Sequence, residues 1–551
     1  MAKDVELLKG EQRGDKGLLH PHSRRLHVLL MLMSGTACMA LLTTNVGITI
    51  TCMVNSTAVA LEATHSAYDN ESVLLMEVTR EHEQCHADTT ALVVDYGIIN
   101  RILVVDYGGE LLWSEQWQSY VKGAAFLGGL LAVLPGGIAS DRRSVTRILL
   151  VSMALMSLCN VLFPIASKFN KRVPILAILL RFGMGLGEAF FLPAQNALMV
   201  RWIPLNEKAS AGAIYSIGYQ VAGILGVPLS AALCQSSLGW PAVYYISALF
   251  GFLWIGAFNY LASDSPSIAR WMSEAEREYL SRELQHLKQK KQKIPFPTRH
   301  VLRSAAIWVL LYASFSGNFV ITFIQLYIPS FFKDVLLMNV KKNGLTTAIP
   351  HLSQVVAKFT WSTMIDRAKR NGLSPTHAVR ISQAVSCIGL VIGFFSIATF
   401  ADCTNPWLAI GLLCLVTSSF GISIAGFVCS LLSMAPAHVG TLTSLTHAIG
   451  FVGRWACPLI VQHFKTIGTT SEWKQIFYTF SVIPLISLLT FTFFGSGEIQ
   501  TWGRVPTMEI ELNESSLLGK GEGKDGKDGK DGKGDKDEMD ESKKERIKLT
   551  N

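Results

Sequence analysis

The chain alternates long apolar runs with short polar connectors, and twelve of the runs are long enough to cross a bilayer as helices. They are Leu26–Met53, Glu115–Ala139, Thr146–Ser167, Pro174–Val200, Ala209–Cys234, Pro241–Ala262, Ser304–Phe332, Gly344–Ile365, Arg380–Phe400, Pro406–Met434, Gly440–His463 and Trp473–Gly495. A basic connector punctuated by proline, 263–303, separates the sixth run from the seventh, so the pattern divides six and six. Inside it Ser273 and Glu276 have the spacing of a capping box and predict a short helix. The expected organisation is a cytoplasmic segment 1–25, an N-terminal half 26–262 with a long polar loop 54–115, the connector 263–303, a C-terminal half 304–503 and a tail 504–551. From Gly519 the tail becomes a Gly-Lys-Asp repeat, a mixed-charge composition for which no fold is expected. The fold class this implies is an all-α membrane protein.

Orientation follows from two signals. Asn55-Ser-Thr57 and Asn70-Glu-Ser72 are N-glycosylation sequons on the long first loop, which places that loop on the lumenal or extracellular side and the N-terminus in the cytoplasm. The even-numbered connectors carry Arg142, Arg143 and Arg147, then Arg201 and Lys208, then Arg367, Lys369 and Arg370, as the positive-inside rule requires. Lys168, Lys171 and Arg172 run against it on an outward connector.

Composition narrows the function. Half of the 551 residues are hydrophobic and 16% are charged, the charges gathering in termini and connectors; the net charge of +8 therefore reports orientation, and no nucleic-acid partner is expected. The aqueous segments hold no nucleophile elbow, phosphate-binding loop or metal-ligand spacing, so no enzyme, cofactor or metal is expected. The ten cysteines read mostly as small hydrophobes in apolar runs. Cys85 and Cys403, both on outward connectors, are candidates for a disulfide. The first 25 residues are polar and the first apolar run is too long for a signal core, so no cleavable leader is expected.

Ionisable residues inside the runs are costly in lipid and are functional candidates by default. The fourth run holds the most informative pair, in Arg181-Phe-Gly-Met-Gly-Leu-Gly-Glu188. Seven residues apart on a helix, Arg181 and Glu188 lie roughly 10 Å apart in height and face the same way. Gly183, Gly185 and Gly187 thin the helix between them for close approach by a neighbour. Lys122, Lys358, Arg454, His351 and His447 complete the embedded inventory. Four cations facing one acid favour an anionic ligand. Lys122, about seven residues inside its helix, has snorkelling to the outer interface as an alternative.

The two halves share a second feature. Gly137-Ile-Ala-Ser-Asp141-Arg142 lies between runs 2 and 3, and Asp366-Arg367 lies in the matching place between runs 8 and 9 without the leading glycine. Gly-x-x-x-Asp-Arg in the cytoplasmic turn of a six-plus-six chain resembles the conformational-switch motif of the major facilitator superfamily, its Asp and Arg expected to bond helix ends across the turn. Arg181 to Glu188, Pro193-Ala, Trp202-Ile-Pro, Gly239-Trp-Pro-Ala-Val-Tyr-Tyr245, Ala348-Ile-Pro-His-Leu352 and Gly497-Glu-Ile-Gln-Thr-Trp502 are similar to the anion:cation symporter branch, which holds sodium/phosphate cotransporters, sialin and vesicular glutamate transporters. The resemblance covers about Trp117 to Trp502. It implies a fold of twelve transmembrane helices in two six-helix pseudo-repeats and a secondary active transporter of a small carboxylate or phosphate, driven by a proton or sodium gradient or the membrane potential. The membrane it implies is the plasma membrane or that of a vesicle or lysosome.

Residue by residue, Arg181 and Glu188 match the family's fourth-helix arginine and proton-sensitive acid, and Lys122 sits where members carry His or Lys. The expected substrate-binding residues are thus Arg181, Lys122 and Arg454, with Glu188 coupling the proton. Thr43 stands at the family's first-helix arginine, and Ser314-Phe-Ser-Gly317 spans the seventh-helix one, so two guanidiniums are missing. Lys358 and Arg454 match no family position; binding to helix-end carbonyls, snorkelling, or replacing those arginines are all open to them. The loss also leaves a transport-inactive receptor or scaffold as the alternative reading.

Overall fold

The computed structural model describes residues 20–67, 91–96, 100–204, 207–269, 271–283, 297–435 and 438–503. Met1–Trp502 forms one compact unit; the second, Gly503–Asn551, lies almost wholly outside the described residues, as do Asn70 and Cys85.

Twelve long helices carry the described chain. In the first half they are α1 (Arg24–Met53), α2 (Glu115–Arg142), α3 (Val145–Phe169), α4 (Ile175–Trp202), α5 (Lys208–Val221, continuing through a π-helical turn into Val227–Gln235) and α6 (Pro241–Leu261). In the second they are α7 (Ala305–Leu326), α8 (Val340–Arg370), α9 (Pro375–Phe400), α10 (Pro406–Met434), α11 (Val439–Phe464) and α12 (Thr470–Phe494). Ten of these are long and apolar enough to span a membrane by composition alone. The two that fall short are α8 and α11, which carry Lys358 and Arg454, so their polarity is itself a sign of what they line. Apolar side chains on the outside, such as Val151, Leu158 and Ile165 of α3, are 51–68% exposed at heptad spacing, a stripe suited to lipid.

The packing repeats. Helices α1·α5, α1·α6, α2·α4, α3·α4 and α3·α6 pack in the first half, and α7·α11, α7·α12, α8·α10, α9·α10 and α9·α12 in the second, each pair shifted by six. The halves meet along two seams related the same way, α2·α11 and α5·α8. Close approach rests on glycine where the sequence places it. A Cβ on Gly185 would lie 1.7 Å from the Ala125 carbonyl of α2, and one on Gly187 2.7 Å from Met156 of α3.

The first loop is more ordered than its polarity suggests. Asn55 Oδ1 accepts from the Ala58 amide and starts a helix, Ser56–Ala67, and strands β1 (Ala91–Tyr96) and β2 (Asn100–Val105) form an antiparallel hairpin. This hairpin departs from the all-helical expectation. The positive charges expected on the outward connector also find partners there. Lys168 and Lys171 reach Glu110 at 3.0 and 3.7 Å, and Arg172 reaches Glu62 at 3.6 Å. The hydrogen bond from the Lys168 ammonium holds the Glu110 carboxyl below the usual carboxylate range. The exception to the positive-inside pattern is therefore a partly neutralised cluster, three cations against two carboxylates.

In the connector Ser273 Oγ caps the helix Glu274–Glu283 through the Glu276 amide, as the spacing predicts. The Glu276 carboxylate does not close the box. It accepts from the Ser23 hydroxyl and the Arg24 and Arg25 amides instead, capping α1.

The cysteines need a correction. Cys52 at the end of α1 and Cys234 at the end of α5 form a disulfide, although both read as small hydrophobes. Period alone puts each in an apolar run; only the fold brings the two outer helix ends together. Cys403 is also disulfide-bonded, and its expected partner Cys85 lies outside the described residues.

Candidate functional site

Helix α4 projects Glu188 to the boundary between the halves, where it is fully buried. Its Oε1 accepts from Arg454 Nη1 of α11 at 2.5 Å. The guanidinium lies over the Phe126 and Phe451 rings at 4.4 and 5.4 Å, a cation–π cradle that leaves it in a low-dielectric setting. The pair is not saturated. Glu188 Oε2 and Arg454 Nε are buried without a hydrogen-bond partner in the structure.

Arg181 is also fully buried but turns elsewhere. Its Nη2 donates to the Thr43 carbonyl at 2.9 Å and its Nε to the Val121 carbonyl at 3.4 Å, with Nη1 3.7 Å from Met184 Sδ. The Thr43 carbonyl is near the break in α1 at Asn45, where the helix pauses before Val46. Arg181 thus ties α4 to α1 and α2. Arg181 and Glu188 do not meet: two turns of helix separate them, and Glu188 takes its cation from the other half. With Thr43 at the family's arginine position, the guanidinium at that backbone belongs to Arg181.

The other embedded cations share one property: each contacts the opposite half. Lys122 of α2 is 1% exposed and its Nζ sits 4.1 Å above the ring of Tyr327, which follows α7. It does not snorkel. Lys358 of α8 is buried with its Nζ 2.5 Å from Ser216 Oγ of α5. At the outer end Lys465 reaches Glu115 of α2 at 2.5 Å and Asp334 at 3.1 Å, and Lys333 donates to the Thr51 carbonyl of α1 at 3.1 Å and to Ser56 Oγ. These outer residues line a cleft of about 60 Å³. Lys333, Asp334, Lys465 and Glu115 escape a sequence reading because charges at the ends of apolar runs look like interfacial anchors.

At the inner end the switch motif is only partly as expected. Gly137 faces α11, a Cβ there lying 3.3 Å from Ser444 Oγ. Among the described residues the arginines make no bond to a helix end: Arg142 and Arg367 are exposed, and Asp366 pairs with Lys369, one turn on at 3.5 Å. The carbonyl at the end of α2, that of Ser140, accepts from Arg201 of α4. Exposed side chains in water gain little from such a bond, and Arg201 is already placed beside it. The Asp141 side chain lies outside what is described. His351 packs its ring against Gly223 of α5. No group of three or more metal-ligating side chains occurs among the described residues.

Two six-helix halves that meet along two seams, with a buried ion pair between them midway along α4, have the architecture of a membrane transporter. A sequence model described as Major Facilitator Superfamily matches residues 89–458. The uncharacterized transporter slc-17.3 of Caenorhabditis elegans is 36% identical over 506 residues, covering 91% of this chain and 93% of that protein. Sialin of Homo sapiens is 27% identical, covering 72% of this chain and 78% of its own length, and vesicular glutamate transporter 3 of Danio rerio is 24% identical over 71% and 66%. The inward-open xylose transporter XylE from E. coli superposes with a TM-score of 0.56 over 84% of this chain and 95% of its own, at 12% identity, a likeness of fold. The chain belongs to the Major Facilitator Superfamily, in its anion:cation symporter branch. It is a multi-pass membrane protein and a transporter rather than an enzyme.

Proposed function

We propose that this protein is a secondary active transporter of a small anion, a carboxylate or a phosphate, in which Glu188 and Arg454 link proton to substrate. The observation that carries this reading is the buried Glu188–Arg454 ion pair between the halves, with one carboxylate oxygen unpartnered. A carboxylate and a substrate anion compete for the same guanidinium. When Glu188 takes up a proton it releases Arg454, and the anion takes its place; loss of the proton restores the pair and expels the anion. The excess of embedded cations supports an anion, as do relatives named sialin, vesicular glutamate transporter and, in Drosophila melanogaster, putative inorganic phosphate cotransporter. Lys122 would meet the anion on the outer side of the pair, and Arg181 would hold α4 in place against α1. The test is uptake by purified protein in liposomes, with sialate, glutamate and phosphate offered under an imposed proton or sodium gradient. Accumulation of any one under a proton gradient is the expected result; no uptake of any anion would return the protein to the receptor class.

A further inference from the structure

The α5·α8 seam runs antiparallel and is polar rung by rung. Ser216 faces Lys358, four residues along α5 Gln220 is buried, and four residues back along α8 Gln354 is buried. His351 then closes on Gly223, whose added Cβ would be 2.5 Å from the ring. Polar side chains at this spacing form one face on each helix, and the two helices touch at Ser216–Lys358 and at Gly223–His351. One feature of the strip asks for an anion: Lys358 is 5% exposed and has no ion-pair partner among the described residues. A buried ammonium satisfied by one hydroxyl is expensive unless an anion spends part of the cycle beside it. Height along the helices places this rung on the cytoplasmic side of the ion pair. Ser216 is eight residues from the start of α5 and Glu188 fourteen from the end of α4, about 9 Å apart at 1.5 Å per residue.

We propose that Lys358 is the cytoplasmic-side contact for the transported anion: the carboxylate or phosphate leaving Arg454 is held next by the Lys358 ammonium, with the side-chain NH2 groups of Gln220 and Gln354 completing its hydrogen bonds. This rests on the anion-transport reading above and extends it. The seam would then be a route, open to substrate when the inner ends of α5 and α8 part, while the central ion pair joins α4 to α11. Lys358 replaces neither missing arginine by position, since it belongs to the eighth helix, but it supplies a cation on the same path.

The experiment is sided exchange in liposomes with right-side-out and inside-out protein resolved by an impermeant inactivating thiol reagent. The probes are radiolabelled sialate, glutamate or phosphate, using whichever the unaltered protein exchanges. Lys358→Gln should raise KM at the cytoplasmic face about tenfold or more, the loss of one charge-assisted contact, while the outer-face KM stays within about twofold. Lys358→Arg should restore most of the difference. Ser216→Ala removes the same bond across the seam but keeps the ammonium, so it should leave the sided KM near normal. If Ser216→Ala reproduces the shift, Lys358 acts by holding the halves together and the proposal is overturned. Equal KM changes at both faces, or none, overturn it too while leaving the anion-transport reading intact. If the unaltered protein moves no anion, both fall.

Discussion

Lys465→Met removes the ammonium that holds Glu115 of one half to Asp334 of the other while keeping the length of the side chain. Lys465 is 5% exposed and touches both carboxylates, at 2.5 and 3.1 Å, so its loss strands two acids that keep no ion-pair contact among the described residues. Removing one partner of a buried ion pair costs roughly 3–5 kcal/mol when the other charge stays buried. Opening the outer mouth relieves that cost by hydrating the carboxylates. The substitution therefore shifts the balance toward the outward-open form by up to about 10²–10³-fold, at 1.4 kcal/mol per factor of ten. The assay is labelling of Ser330→Cys, a cleft position 4% exposed in the closed form, by an impermeant maleimide from the outer side. Labelling should be slow with Lys465 present and at least tenfold faster with Lys465→Met. Adding Glu115→Gln and Asp334→Asn removes the stranded charges and should slow it again. Equal labelling rates with and without Lys465 would refute the reasoning, because the cluster would then not be holding the mouth shut.

Two further outcomes follow from the outer side. Non-reducing peptide mapping should find Cys52 linked to Cys234, closing 182 residues of chain, and Cys52→Ser should lower thermal stability by roughly 2–5 kcal/mol; recovery of both as free thiols would count against it. Asn55 and Asn70 should each lose a glycan on mutation to Gln, read as a glycosidase-sensitive shift, while Asn513 carries none; a glycan at Asn513 would overturn the twelve-helix orientation.

Much of the fold was legible because bilayer thickness fixes the length of each span and lipid forbids charges on its outer face, so hydropathy alone marks most of the twelve. The two helices that hydropathy leaves weakest, α8 and α11, are those whose lysine and arginine turn to the other half. The six-helix shift in packing partners also stands behind the repeated Asp-Arg turns, although Arg142 and Arg367 are exposed in this conformation. The site was half legible. Glu188 and Arg454 each stood out as charges in apolar runs, but their pairing joins positions 266 apart in the chain, and periodicity carries no signal for such a contact. Arg181 and Glu188 looked like partners because they share a helix face, yet height along the axis keeps them apart. The Cys52–Cys234 bridge and the Lys465 cluster were hidden for a common reason: apolar or terminal positions acquire their chemistry only when helix ends meet.

The claim at the centre is that Glu188 and the anion compete for Arg454, and Glu188→Gln tests it most directly. The amide keeps the size of the side chain and removes its charge, so Arg454 is free for substrate at every pH. In liposomes, the variant should exchange labelled anion across the membrane yet fail to accumulate it against a gradient. Its KM near neutral pH should fall to the value the unaltered protein shows in acid, and its exchange rate should no longer vary with pH. Concentrative uptake with unchanged pH dependence in Glu188→Gln would contradict the account, leaving the ion pair a structural tie between the halves.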